Sequence, residues 1–316
     1  MTISFAVADF DARHLCTENF ISATVYYPMS SNGGGKSSSS SSSSSSSTLL
    51  PSIVLVGGWM CGEEVLAAWG PFFASHGIVV MTIGTPSPQN DEPTDRCLSL
   101  LDATKALQTE HNREGSELFG RLDTSRRAVM GYSLGGGGAH RAALADPSLK
   151  CAIALAPHSG DSDDPFPKKL TDSVPTLTLV GSRDTDAPSR KHAKKFYETT
   201  SAPSLFFEIE GGDHFVGTGP SGGNERDFTR GRELGLYINV VTTLLCCGYA
   251  LVSNGFGTGP SGAFIRDGLD NNERRAIGEI ALAWLRLFLK GDESARSKLL
   301  ERPGIASGFE SKGIRL

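Results

Sequence analysis

The chain has few cysteines and no concentration of positive charge. Its 316 residues carry a formal net charge of −5 with no dominant basic block, which argues against nucleic acid or an anionic membrane as the main partner. No two cysteines have the C-x-x-C spacing of metal sites, and we therefore expect no metal site and no disulfide framework. The cysteines are Cys16, Cys61, Cys97, Cys151, Cys246 and Cys247.

The first residues also lack a legible secretory leader. They read MTISFAVADFDARHLC, without a basic start, a long apolar run and a small-residue cleavage site. We therefore expect a cytoplasmic protein. The length suits one large domain, and we predict a single, monomeric unit over residues 1–316.

Apolar runs of two kinds alternate along the chain. Short continuous runs are typical of strands buried on both faces, and the runs between them have helical spacing. This alternation predicts a mostly parallel sheet with helices on both faces. The predicted strands are 21–28, 53–56, 78–83, 127–131, 151–156, 176–180 and 205–209, the last of the sheet, and the predicted helices are 65–73, 98–107, 189–199 and 277–289. To the polar tail after Gly291 we assign no element.

One glycine-rich segment follows a predicted strand and opens a predicted helix. Residues 128–139 read AVMGYSLGGGGA, and Gly131 to Gly135 match the G-x-S-x-G pattern. The strand-turn-helix context favours a nucleophile elbow, in which a sharp turn exposes the Ser133 hydroxyl, over an ordinary turn. Gly136 to Gly138 would let the following helix approach neighbouring backbone closely.

Ser133, Asp184 and His214 follow the chain order of the triad in the α/β-hydrolase fold. Each comes after the carboxyl end of a predicted parallel strand, where loops converge in such sheets. This shared placement predicts a serine nucleophile, its base and the carboxylate that orients the base.

Other residues compete for two of these roles. His158 follows a strand end and is an alternative base, although it precedes the acid along the chain. Asp186 is an alternative to Asp184, whereas Asp213 is too close to His214 in sequence to orient it easily. We expect His14 to precede the fold, and we expect surface or capping roles for His76, His111, His140 and His192.

When a serine attacks an acyl group, the carbonyl oxygen becomes an oxyanion, which two backbone N–H donors stabilise. They are predicted at Leu134, after the nucleophile, and at Trp59, in the loop after an early strand. Gly57 and Gly58 would let that loop approach the serine. The Trp59 ring forms a wall for the substrate or, alternatively, packs in the core.

Five motifs resemble those of the PET hydrolase/cutinase-like family, and dienelactone hydrolases and chlorophyllases more distantly. They are TVYYP (24–28), WGPFFASHGIVV (69–80), GYSLGGGG (131–138), SRDTDAP (182–188) and GGDH (211–214). The resemblance implies an α/β-hydrolase fold and a triad of Ser133, Asp184 and His214. It also implies that Trp59 and Leu134 form the oxyanion hole and line the substrate cleft.

The chain departs from that family in three ways. After Ala156-Pro157, where polyester-cleaving members carry a cleft tryptophan, it has His158, which argues against an aromatic polyester and makes His158 a substrate-binding candidate beside Trp59. It also lacks the secretory leader and the C-terminal cysteine pair of many secreted members.

The third departure is an insertion at residues 217–256, since the hexapeptide GTGPSG at 217–222 recurs at 257–262. Its apolar stretch 234–252 is long enough to span a bilayer, but a single span would separate the final helix from its sheet. We therefore expect a hydrophobic flap, or a duplication or gene-model artefact. Residues 30–48 are a low-complexity segment with an unbroken serine run. This composition predicts a disordered loop, with phosphorylation or partner tethering as its alternative roles.

These features together predict carboxylic ester hydrolysis through an acyl-enzyme intermediate. We expect a small-molecule or lipid-like ester as substrate, no metal or organic cofactor, and loss of activity as His214 becomes protonated. Two alternatives are an acyltransferase or thioesterase with the same triad, and a non-catalytic binding protein whose insertion covers the cleft.

Overall fold

A computed structural model describes residues 5–29, 49–160, 167, 170–220 and 271–315. Its centre is a nine-stranded sheet with the order β1-β2-β4-β3-β5-β6-β7-β8-β9. Strands β3 to β8 run parallel to one another, whereas β1 and β2 at one edge and β9 at the other pair antiparallel with their neighbours. The strands are β1 Val7–Asp11, β2 Ser22–Pro28, β3 Leu50–Val56, β4 Val79–Gly84, β5 Leu122–Tyr132, β6 Cys151–Leu155, β7 Thr176–Gly181, β8 Ser204–Ile209 and β9 Ala306–Lys312.

Helices cover both faces of this sheet, as the continuous apolar strands predicted. They are α1 Trp69–Ala74, α2 Pro93–Thr109, α3 Leu134–Ala145, α4 Ala193–Thr199 and α5 Asn271–Phe288. Ile53 and Leu55 on β3 face a core with residues of α1 and α5, whereas Val54 and Val56 face a second core with residues of α2 and α3. The fold class predicted from the sequence is confirmed.

Both edges of the sheet contain strands that the sequence patterns missed. The prediction that residues 205–209 form the last strand is wrong, because β9 pairs with β8 from Ser204 to Ile209. Strand β9 reads ASGFESK and is largely half-buried or exposed, so it lacks the continuous apolar run of a central strand. The expectation that His14 precedes the fold is also wrong, since β1 comes before it and a 3-10 turn, Arg13–Leu15, contains it.

The helices predicted over 98–107 and 277–289 begin earlier in the structure, whereas the other two are divided or begin later. The segment predicted as a helix over 65–73 divides into a 3-10 turn, Glu63–Leu66, and α1. Pro71 lacks the N–H that would bond to the carbonyl of Ala67 in a continuous helix. The helix predicted over 189–199 begins only at Ala193.

Residues 30–48, and all but the first four residues of the proposed insertion, lie outside the described residues, as does the apolar stretch 234–252. In the parts of the chain that the structure describes, no helix is long and apolar enough to cross a membrane.

Candidate active site

Ser133 lies between the end of β5 and the start of α3, on a turn with a positive φ. Its φ of 56° and ψ of −119° are a conformation that non-glycine residues rarely adopt, which is the strain typical of a nucleophile elbow. The flanking glycines are required by close contacts. A Cβ on Gly131 would lie 1.8 Å from the Gly135 carbonyl oxygen, and one on Gly135 would lie 2.4 Å from that of Gly57.

The remaining glycines of the motif bring α3 against its neighbours. A Cβ on Gly137 would lie 2.1 Å from the His158 carbonyl oxygen, and one on Gly138 would lie 2.7 Å from the Arg96 Cβ. The predicted close approach of this helix to neighbouring backbone is therefore confirmed.

The structure brings Ser133, His214 and Asp184 together. The Ser133 Oγ lies 3.0 Å from the His214 Nε2, and the His214 Nδ1 lies 2.8 Å from the Asp184 Oδ2. Because a carboxylate only accepts hydrogen bonds, the neutral imidazole carries its proton on Nδ1 and presents the Nε2 lone pair to the serine hydroxyl. This geometry suits transfer of the hydroxyl proton to His214.

Asp184 is held by the loop after β7. Its Oδ1 accepts hydrogen bonds from the backbone N–H groups of Asp186 and Ala187, at 3.0 and 2.7 Å, which leaves Oδ2 for the histidine. Asp186 itself is exposed. Asp213 accepts from the Phe215 N–H at 2.9 Å, and burial raises the pKa of its carboxyl. The geometry thus places Asp184, rather than its two sequence alternatives, on the imidazole.

The loop that carries His214 is anchored against α1. The indole N–H of the fully buried Trp69 donates to the Gly217 carbonyl oxygen at 2.8 Å, and Val216 is also fully buried. The His214 ring lies 5.2 Å from the ring of Tyr132, at an interplanar angle of 42°. Burial raises the pKa of Tyr132 well above its usual value, so Tyr132 is a neutral wall behind the histidine.

The loop after β3 passes directly beside the serine. A Cβ on Gly58 would lie 2.6 Å from the Ser133 Cβ and 3.2 Å from its Oγ. The Trp59 side chain is 51% exposed, and its indole N–H donates to the Gln89 carbonyl oxygen at 2.9 Å, so its alternative role in core packing is excluded. Leu134 is the first residue of α3, where backbone N–H groups have no carbonyl within the helix to bind.

His158 and His192 form a stacked pair on another side of the serine. Their ring centroids are 4.3 Å apart, and the His158 N–H donates to the Ser133 carbonyl oxygen at 2.8 Å. The backbone N–H groups of Gly160 and Ser159 donate to the Nδ1 atoms of His158 and His192, respectively. In its neutral form, each of these rings therefore carries the proton on Nε2.

Burial, followed by the proximity of His158, lowers the pKa of His192 to about 4, so this ring is neutral at pH 7. His192 is the N-cap residue of α4, as the capping expectation allows, but its half-buried side chain makes no capping hydrogen bond and instead accepts from the Ser159 N–H. The expected surface or capping role is wrong for His140, which is fully buried and stacks on Phe196 at a centroid distance of 4.3 Å.

Sequence reasoning also missed Arg96, which is fully buried on α2. Its Nη2 donates to the carbonyl oxygen of Gly58 at 2.9 Å, in the loop beside Ser133. The spacing of Arg96 from Leu100, Ala103 and Leu107 places it on the apolar stripe of its helix, and this position is the signal that could have identified it. Within the described residues, no group of three or more His, Cys, Asp or Glu side chains could hold a metal ion.

The mostly parallel sheet and a serine, histidine and aspartate at the carboxyl ends of its strands define an α/β-hydrolase. The family model described as PET hydrolase-like matches residues 7–226. Cutinase 1 of Thermobifida cellulosilytica is 34% identical over 215 residues, which are 67% of this chain and 72% of that protein. The chain belongs to the PET hydrolase-like family of carboxylic ester hydrolases, which confirms the resemblance seen in its motifs.

Two further relatives match a similar share of the chain. A cutinase of Thermobifida fusca is 34% identical over 215 residues, 67% of this chain and 63% of that protein. The bis(hydroxyethyl) terephthalate hydrolase of Streptomyces coelicolor is 33% identical over 213 residues, 67% of this chain and 61% of that protein. The match spans less than two thirds of the length of these two relatives.

Proposed function

We propose that this protein hydrolyses carboxylic esters through an acyl-enzyme intermediate on Ser133. The observation that carries the proposal is the continuous hydrogen-bonded chain from the Ser133 Oγ through both ring nitrogens of His214 to Asp184, with distances of 3.0 and 2.8 Å. Asp184 is only 6% exposed, so its negative charge acts on the imidazole with little screening by water.

In the first half of the reaction the Ser133 oxygen attacks the ester carbonyl while His214 takes the hydroxyl proton. Asp184 stabilises the resulting imidazolium. The backbone N–H groups of Trp59 and Leu134 stabilise the oxyanion. The tetrahedral intermediate collapses when its bond to the alcohol oxygen breaks, and His214 gives its proton to that oxygen.

In the second half a water molecule attacks the acyl-enzyme. His214 removes a proton from the water, the same two amides hold the second oxyanion, and the Ser133 oxygen leaves with a proton from His214. The products are a carboxylic acid, the alcohol and free enzyme.

We propose a small-molecule or lipid-like ester as the substrate. Three relatives carry the names cutinase and bis(hydroxyethyl) terephthalate hydrolase, which makes aliphatic and terephthalate esters the first classes to compare. Trp59 offers the substrate a half-exposed indole. His158 stands where polyester-cleaving members of the family carry a cleft tryptophan, and its imidazole, stacked on His192, is smaller and more polar than an indole. We therefore expect aliphatic acyl groups to be preferred over terephthalate.

The first test is fluorophosphonate labelling of the full chain, measured by intact mass, in parallel with Ser133→Ala. We expect one adduct per chain, absent from the variant, together with a burst of alcohol release from an activated acyl ester. A folded protein that takes up no label and shows no burst would contradict the proposal. A panel of aliphatic and terephthalate esters, compared by kcat/KM, then tests the substrate class.

A further inference from the structure

Arg96 is a buried charge at the back of the loop that passes Ser133. Its side chain is fully buried, and its Nη2 lies 3.5 Å from the Asp91 Oδ2. Within the described residues, its Nε and Nη1 find no hydrogen-bond partner. Burying an incompletely paired guanidinium destabilises a fold, so a simple packing role does not account for this residue.

The Arg96 guanidinium connects two loops. Its Nη2 donates to the Gly58 carbonyl oxygen at 2.9 Å and to the Pro88 carbonyl oxygen at 3.2 Å. The Pro88 oxygen also accepts from the Met60 N–H at 2.9 Å. Met60 has a φ of 58°, and such a strained residue persists only where its surroundings hold it. Arg96 and these contacts therefore hold residues 58–60 in one conformation.

The Gly58 carbonyl belongs to the same peptide group as the Trp59 N–H. No cis peptide bond occurs among the described residues, and in a planar trans peptide the C=O and N–H bonds point in opposite directions. A guanidinium bound to the carbonyl on the interior side therefore directs the N–H to the opposite side. The same charge-assisted bond polarises the peptide and strengthens its N–H as a donor.

The contacts of Gly58 show that this peptide group lies next to Ser133. A Cβ on Gly58 would lie 3.2 Å from the Ser133 Oγ, so this peptide group begins beside the attacking oxygen. We propose that Arg96 is a positioning residue that sets the orientation and donor strength of the Trp59 N–H in the oxyanion hole. This inference rests on the proposed ester hydrolysis and extends it to a side chain that does not touch the substrate.

The central variant is Arg96→Met, which keeps much of the side-chain volume and removes the donor. We expect kcat per active site to fall about 10- to 100-fold, because losing a complete oxyanion donor costs on the order of 100- to 1,000-fold. KM should change little, and affinity for a boronic acid that mimics the tetrahedral intermediate should fall with kcat. Arg96→Lys, which keeps a charged donor on a flexible stem, should recover part of both losses.

Arg96→Met also leaves the Asp91 carboxylate buried without its partner, which destabilises the protein for a separate reason. The double variant Asp91→Asn/Arg96→Met removes that charge, so it should recover thermal stability without recovering kcat. Arg127→Met is the matched control, since it breaks another arginine–aspartate pair 3.5 Å apart, with Asp146. It should leave kcat per active site unchanged.

Active sites are counted by fluorophosphonate titration, so that unfolded protein does not enter kcat. An Arg96→Met enzyme with wild-type kcat per titrated site and wild-type boronate affinity would overturn the inference. Recovery of kcat in the double variant would also overturn it, because the role would then be structural. Failure of the proposed function gives a different result, in which the wild-type protein neither takes up the label nor turns over esters.

Discussion

At the scale of single residues, backbone geometry places the side chains of the candidate triad. Ser133 has a positive φ, and Asp184 directs one carboxylate oxygen to two backbone N–H groups and the other to His214. These contacts fix the three side chains before any ligand binds, so catalysis by this triad would cost little conformational entropy.

Asp184→Asn tests this arrangement at one atom. An asparagine amide in place of Oδ2 would donate to Nδ1, which moves the imidazole proton to Nε2 and blocks proton transfer from Ser133. We expect kcat for an acyl ester to fall on the order of 10,000-fold, the loss typical of the wrong tautomer. Asp186→Asn is the control and should retain wild-type kcat. Equal losses in the two variants would contradict the assignment of Asp184.

At the scale of elements, β9 completes the sheet beside the strand that leads to His214. The Phe309 ring packs against Phe207 edge to face at 5.6 Å, and the Glu210 N–H donates to the Ile305 carbonyl oxygen at 2.8 Å. The strand therefore covers the edge of β8 and holds the start of the loop that carries the histidine. Without it, β8 would present an unpaired apolar edge.

Phe309→Ala should lower the free energy of unfolding by about 1–3 kcal/mol, because Phe309 is half-buried and complete burial of a phenylalanine contributes about 3–5 kcal/mol in such substitutions. Urea unfolding followed by circular dichroism measures the change. Ser311→Ala, at an exposed position of the same strand, should stay within about 0.5 kcal/mol of wild type. Equal stability of the two variants would show that β9 contributes little to the fold.

At the scale of the whole molecule, buried titratable groups make the fold sensitive to acid, and His140 on α3 and Glu110 at the end of α2 are two of them. Burial lowers the pKa of His140 from its ordinary 6.5 to about 3. Burial alone would raise the pKa of Glu110, but hydrogen bonds from Arg113, Ser116 and His14 outweigh it and lower the pKa from 4.5 to about 2. In both cases the unfolded chain binds a proton at a higher pH than the folded chain, so acid favours unfolding.

The two groups act in different pH windows. His140 lowers stability as the pH falls from 6.5 towards 3, by up to about 1.4 kcal/mol per pH unit. The contribution of Glu110 is complete above pH 4.5 and is lost as the pH falls towards 2. His140→Gln should flatten the curve of unfolding free energy against pH in the upper window, and Glu110→Gln only in the lower. Urea titrations at stepped pH measure both, and an upper-window slope unchanged in His140→Gln would contradict this account.

The sequence by itself determined the class of fold and the three residues of the candidate triad. Strands such as β4 and β7 are buried on both faces, so their residues are continuously apolar and legible without a structure. Ser133 is recognisable because the glycines on either side of it leave no room for a Cβ, so the motif is visible in the sequence. Asp184 and His214 are candidates from the sequence because loops at the carboxyl ends of parallel strands converge, a property of topology and not of side-chain detail.

Only the tertiary structure decided which residues hold the site in place and which strands form the edges of the sheet. Strand β9 packs on one face alone, so its apolar residues do not form a run. Arg96, His158 and His192 depend on contacts between segments far apart in the sequence. These contacts form only when the chain folds. Arginine and histidine are common on exposed helices and loops, so the sequence alone does not show which of them are buried. The sequence therefore indicates the candidate reacting groups, and the packing around them determines their orientation.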